Sequence, residues 1–231
     1  MMIAPRIALI HATPLAIEPV NASFQKLWPQ AKLQNILDDS LSRDLAADGH
    51  LTANMIERFI DLAQYAKRAD CQGILFTCSA FGEAIEAAGK AVGIPTLKPN
   101  EAMFQDALHL ALKARPTSSS DLNIGLVATF AASIDSMREE FNVLTQALPR
   151  KVNLHGVHVP HAMDALAKGH AEDHHQRIAS AIEQMPVCDV IMLAQFSMAA
   201  AQPLAQSKST VPILTSPDCA VMAIQQRMKN V

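Results

Sequence analysis

The chain has 231 residues, 50% of them hydrophobic, enough for one large domain or two small ones with a packed core; a disordered or collagen-like chain is excluded. Nineteen lysines and arginines against 22 aspartates and glutamates give a net charge of -3, and only 4% of residues are aromatic, so the cationic surface and stacking groups of a nucleic-acid binder are missing. Its apolar segments are short and broken by charge, and the first residues lack the cationic flank and small-residue cleavage site of an export signal, which predicts a soluble cytoplasmic protein with no membrane partner.

Short apolar runs alternate with stretches of helical period, the pattern of parallel strands joined by crossover helices, so the fold class is α/β. A first strand over 6–11 leads into a helix over 19–28, where Pro19 is tolerated in the first turn and Pro29 ends the run. A second strand is expected over 32–37. After the turn Asp48-Gly49, Thr52 can cap a helix reaching about Arg68, with Met55, Ile56, Phe59, Ile60, Leu62 and Ala63 on its apolar face. Residues 73–78 read as a fully buried strand, 79–92 as a helix ended by Gly93, 94–97 as a short strand and 100–113 as a helix. The polar segment 115–121, which contains Pro116, is the expected linker.

Beyond it the same pattern returns at a fixed distance. Ile7 and Ile124, Ile74 and Ile191, and the pairs Ile94-Pro95 and Val211-Pro212 are each 117 residues apart. Strands repeating in order, two of them with a proline in register, point to a duplicated half. The expected architecture is two pseudo-symmetric halves, 1–115 and 116–211, each a parallel sheet flanked by helices, with 212–231 returning to complete the first. Ligands of open parallel sheets bind at the carboxyl ends of the strands, so two facing halves would enclose a cleft there.

Four cysteines without a CxxC pair suit reduced thiols better than a disulfide framework. Cys71 and Cys188 also lie 117 residues apart, yet both precede their strands, at the end away from the expected cleft, where packing is the usual role. Cys219 sits in the start of a C-terminal helix and is read as structural too. Cys78 ends a buried strand and precedes a helix, so backbone N–H groups and the positive helix end should favour its thiolate. Its neighbours Thr77 and Ser79 offer hydroxyls to a carboxylate or enolate oxygen. By the repeat, Cys78 corresponds to Gln195, Ser79 to Phe196 and Ala80 to Ser197, which sets a second polar side chain opposite the thiol. His11, ending the first strand, either takes the Cys78 proton or is a satisfied core histidine.

The Thr77-Cys78-Ser79 turn after a buried strand, the run from Gly125 to Thr129 opening the second half, and the paired Ile-Pro and Val-Pro strands resemble the aspartate/glutamate/hydantoin racemase superfamily over nearly the whole chain. That resemblance implies two cysteines, one from each half, that remove and return the proton of a substrate α-carbon without metal, pyridoxal phosphate or other cofactor. Cys78 matches the first; Gln195 holds the place of the second. Glutamine is neither an acid nor a useful base and exchanges no proton with a carbanion.

The implied function is therefore a cofactor-independent isomerase or racemase-like enzyme of amino-acid metabolism. It would act at the α-carbon of a small carboxylate or amino-acid-like substrate with a single active-site cysteine. One-cysteine decarboxylation, isomerisation or hydrolysis of a related carboxylate, as in the relatives arylmalonate decarboxylase and maleate isomerase, stays open, as does a non-catalytic carboxylate-binding protein. Carried over by position, the substrate groups are Thr13, Asp39, Ser40, Ser79, Thr129, Ser133 and Ser197, joined by Thr77 and Phe196 beside the paired positions. Each hydroxyl could equally cap a helix. Asp39, if it faces the substrate, would repel a second carboxylate and favour an amino or amide group.

Nine histidines include His170, His174 and His175 close together and His155, His158 and His161 spaced by threes. Only His170 and His174 have helical i,i+4 spacing, and no carboxylate stands where a zinc-protease motif needs one, so no metal is expected. Neither a Gly-x-Ser-x-Gly elbow, a Walker sequence nor a GxGxxG is present. The sequence leaves the oligomeric state open, a homo-oligomer included.

Overall fold

A computed structural model describes residues 4–116 and 120–229, so the middle of the segment read as a linker lies outside the described residues. In chain order the elements are β1 (Arg6–His11), α1 (Ile17–Leu27), β2 (Lys32–Leu37), α2 (Leu41–Asp48), α3 (Ala53–Arg68), β3 (Gly73–Phe76), α4 (Gly82–Val92), β4 (Thr96–Leu97) and α5 (Glu101–Ala114). They continue as β5 (Leu122–Ala128), α6 (Ala132–Thr145), β6 (Val152–His158), α7 (Ala162–Ala167), α8 (Ala171–Glu183), β7 (Val190–Leu193), α9 (Gln202–Gln206), β8 (Ile213–Thr215) and α10 (Ser216–Lys229). The strands form two parallel four-stranded sheets, ordered β2-β1-β3-β4 and β6-β5-β7-β8, which is the α/β class read from the pattern. No helix among the described residues is long and apolar enough to cross a membrane.

The chain divides into two compact units, Met1–Ala102 with Pro217–Val231, and Met103–Ser216. This division differs from the halves drawn on the linker. Helix α5 belongs almost wholly to the second unit, where Phe104 packs edge-on against Phe141 of α6 at 5.4 Å between ring centroids. The tail splits as well: β8 pairs with β7 in the second sheet, whereas α10 groups with the first unit. There Ile224 and Met228 press on the start of β3 so closely that a Cβ at Gly73 would lie 3.2 Å from Ile224.

In the first unit Ala8, Ile10, Ile74 and Phe76 share one face of the sheet by strand alternation. Against them α3 lays Met55, Phe59, Ala63 and Ala66, whose spacing makes a helical stripe. Phe59 stacks on Phe76 and Phe81 at 5.3 and 4.8 Å between centroids, contacts worth about 0.5–1.5 kcal/mol each beyond the area they bury. Thr52 caps α3 by accepting the Met55 N–H at 3.3 Å, and Lys67 and Arg68 complete the opposite end. Gly93 closes α4 at φ 63°, a left-handed conformation that glycine adopts without penalty.

The second unit repeats this register. Ile7 lies opposite Gly73, and Ile124 lies opposite Val190, each residue 117 positions from its counterpart. The outer strand breaks the offset, because Ile7 faces Leu33 but Ile124 faces Leu154, four positions later than the repeat requires.

Candidate active site

In each sheet the order reverses direction at the central pair, β1 with β3 and β5 with β7, the switch point where open parallel sheets take ligands. At the first, His11 is fully buried and bonded on both sides, its Nδ1 2.9 Å from Thr77 Oγ1 and its Nε2 2.9 Å from Asn35 Oδ1. Asn35 Nδ2 donates to Asn21, which turns its carbonyl oxygen toward the ring. A neutral imidazole satisfies both contacts: Nε2–H donates to Asn35, and the Thr77 hydroxyl donates to Nδ1. Burial lowers the His11 pKa, partly offset by the Asn35 bond, which keeps this tautomer uncharged. His11 is the satisfied core histidine of the two readings, and Thr77, expected among the substrate groups, is buried with its hydroxyl committed to it.

Cys78 follows directly and is half-buried. The helix expected to begin beside it is a short 3-10 turn, Ser79–Phe81, and α4 starts only at Gly82. Burial pushes the Cys78 thiol pKa up, more than the hydrogen bonds from the Ala80 N–H and the Ser42 side chain bring it down. The resting group is thus a protonated thiol. This corrects the expectation of a favoured thiolate, because one turn of 3-10 helix does not outweigh desolvation. Ser42, on the first turn of α2, was not among the expected residues. Its hydroxyl donates to the Ala12 carbonyl at 2.8 Å, which occupies its one hydrogen.

The turn after β2 is held from α3. Arg58 bonds the Asp38 carboxylate, the Ser40 hydroxyl and, at 2.6 Å, the Asp44 carboxylate, while Ser40 donates to Asp38 at 2.7 Å. Burial alone would raise the Asp38 pKa, but the bonds from Arg58 and Ser40 outweigh it and hold the carboxyl below its ordinary range. Of the two substrate groups expected here, Ser40 is spent inside this cluster. Asp39 points away from it, 62% exposed and paired along α2 with Arg43 at 3.6 Å. Thr13 accepts the Leu15 N–H and caps the short turn Pro14–Ala16, whereas Ser79 is half-buried in the turn after the thiol.

At the second switch point the part-exposed Gln195 takes the position of Cys78. Its Oε1 accepts the Thr129 backbone N–H at 2.9 Å and the Thr129 hydroxyl at 3.3 Å. Its Nε2 donates to Ser133 Oγ at 2.6 Å, and Ser133 donates onward to the Phe130 carbonyl at 2.7 Å. Thr129 and Ser133, expected to bind substrate, here hold Gln195. Phe196 is buried, Ser197 half-buried, and Phe130 55% exposed.

The other cysteines are buried at positions away from these turns. Cys71 donates to Gln34 Oε1 at 3.4 Å, and Cys188, which donates to the Pro186 carbonyl, has its pKa pushed up by burial and the neighbouring Asp189 to about 11. Among the described residues no group of three or more His, Cys, Asp or Glu is placed to hold a metal ion. His155 and His158 lie on β6, and His161 and His170 precede α7 and α8. His174 is fully buried with neither ring nitrogen hydrogen-bonded, and burial, with His175 beside it, lowers its pKa to about 4.

The sequence profile of a family described as Asp/Glu/Hydantoin racemase matches residues 16–224. No curated protein matches the sequence. Among solved structures, a glutamate racemase from Bacillus anthracis superposes with a TM-score of 0.69 at 14% identity, covering 98% of this chain and 82% of that one. An allantoin racemase from Klebsiella pneumoniae gives 0.67 at 16% identity, covering 98% and 89%. An unliganded arylmalonate decarboxylase gives 0.62 at 15% identity, covering 96% and 92%. At these identities the likeness is one of fold.

Proposed function

The chain belongs to the Asp/Glu/hydantoin racemase family, and from that premise we propose that it is a cofactor-independent enzyme with one working thiol, Cys78, acting at the α-carbon of a small carboxylate. The observation that carries this reading is the asymmetry of the two switch points: a half-buried thiol beside the Ala80 N–H at one, and a glutamine at the equivalent position of the other.

A thiol kept protonated by burial is suited to give its proton to a carbanion that forms beside a carboxylate. In that step the S–H bond breaks, the proton joins the α-carbon, and the sulfur keeps the electron pair as thiolate. The Ala80 N–H then stabilises the thiolate until solvent returns a proton. Cys78 is the one cysteine of the four that follows a strand at a switch point, so a single proton donor serves the carbon and transfer occurs on one face. This supports one-faced protonation, as after loss of carbon dioxide or during an isomerisation, over two-thiol racemisation.

The test is incubation in deuterated water with single enantiomers of aspartate, glutamate and hydantoins, and with α-substituted malonates. The expected result is Cys78-dependent deuterium incorporation at the α-carbon with one configuration. If none of these compounds is turned over and Cys78→Ala changes only ligand affinity, the chain is a carboxylate-binding protein instead.

A further inference from the structure

Gln195 is held so that its amide can turn in only one way. The Thr129 backbone N–H is a donor under all conditions, so the side-chain atom 2.9 Å from it must be the carbonyl oxygen Oε1. At the other end the Phe130 carbonyl is always an acceptor and takes the Ser133 hydroxyl proton at 2.7 Å. Ser133 Oγ is left to accept, and it accepts from Nε2–H at 2.6 Å. Two backbone groups of opposite polarity thus fix the amide from both sides; a flip would set donor against donor at Thr129 and acceptor against acceptor at Ser133. Such a mismatch leaves each of these groups without its partner. Nε2 carries a second N–H, for which no acceptor is present among the described residues, and the side chain is partly exposed.

We propose that Gln195 is a polarity-locked donor that gives its second N–H to an anionic oxygen of a small carboxylate ligand, with Ser133 and the Thr129 backbone as its positioning groups. The proposal rests on the reading above and sharpens it. The second sheet offers a fixed hydrogen-bond donor at the position equivalent to Cys78. A donor aimed in advance stabilises an oxyanion without reorganising during the reaction. It also explains why the donors of the β5 turn are spent on the chain's own side chain: they orient the donor rather than bind the substrate themselves.

The test follows the Gln195 side-chain amide by NMR in uniformly nitrogen-15-labelled protein, assigned by its loss in Gln195→Glu, during titration with acetate and propionate. The two Nε2 protons should be widely separated, one bonded to Ser133 and one free, and the free one should shift saturably with carboxylate. Gln195→Glu, which keeps an acceptor for Thr129 and removes the donor, should weaken acetate binding at least about tenfold. Ser133→Ala should collapse the separation of the two protons and weaken acetate by a few-fold, and Ser133→Thr should restore both. An amide unmoved by saturating acetate, or equal acetate affinity in Gln195→Glu, overturns the proposal. Repeating the titration in Cys78→Ser separates the two readings. A response that persists there without turnover supports the donor even if the proposed reaction fails, whereas turnover in the unsubstituted protein without an amide response rejects the donor alone.

Discussion

The turns after β3 and β7 start from the same register and end in opposite chemistry. In the first, the side chain at the strand end is a thiol whose proton is retained by burial, with the Ala80 N–H ready to receive the charge once the proton leaves. The second carries an amide whose oxygen is already occupied by Thr129 and whose remaining N–H is its only free function. Strand pairing sets where these side chains stand, and residue identity alone sets what they do there. The helices before the two turns differ in the same way. Phe59 of α3 closes an aromatic stack, whereas α8 buries His174 with two unpartnered nitrogens.

The sharpest way to break the comparison is Cys78→Ala, expected to reduce turnover of an identified substrate by about 10³-fold, the scale of a lost general acid. Steady-state kinetics decide it, and unchanged turnover would falsify the assignment of the first turn as the reacting one.

The buried histidine comes next in size. Its folded pKa of about 4 lies below the 6.5 of an exposed ring, so as pH falls the unfolded chain takes the proton first. Its contribution to stability is complete above 6.5 and is lost as pH falls toward 4, about 2–3 kcal/mol by pH 4.5. Urea unfolding at pH 7 and pH 4.5 should therefore show a smaller acid loss in His174→Leu than in the unsubstituted chain, by that amount.

Arg58→Ala should cost about 1–2 kcal/mol, a value discounted for the partial exposure of the Asp38 and Asp44 pairs. The Asp38 share is present above the ordinary carboxyl range and disappears as pH falls through the lowered folded pKa, so thermal unfolding at pH 7 and below pH 3 should show the variant's deficit shrinking. The smallest effect is Thr52→Ala, about 1 kcal/mol for the lost α3 cap. Helix α8 has no side-chain cap at His170, so His170→Ala should change stability by much less in the same denaturant titration.

Much of the first sheet was legible because its strands are short apolar runs bounded by proline, glycine and capping residues. β1 and β2 fall on the expected residues, and α3 runs from its Thr52 cap to Arg68 as its apolar stripe requires. Legibility failed where the repeat did. β6 escaped because it lies four positions off the offset. Cys78 and Gln195 could be picked out by their positions at equivalent strand ends. Ser42 could not, since no spacing within one chain ties residue 42 to residue 78. His174 was hidden by its letter: it lies on the same face of α8 as Ile178 and Ile182, at steps of four, yet beside Glu172 and Asp173 it reads as part of a solvated helix start.

By itself the sequence determined the parallel α/β class, the near-identity of the two central strand pairs, and the presence of a thiol at one switch point with an amide at the other, because periodicity and repeat distance are properties of the chain alone. Tertiary structure decided the charge of the thiol, the partner of His11, the direction in which Gln195 offers its hydrogens, and the unit to which α5 and β8 belong. Each of these depends on which distant residue is brought within hydrogen-bond or packing distance, and on how much water is removed around it, quantities that no local pattern encodes.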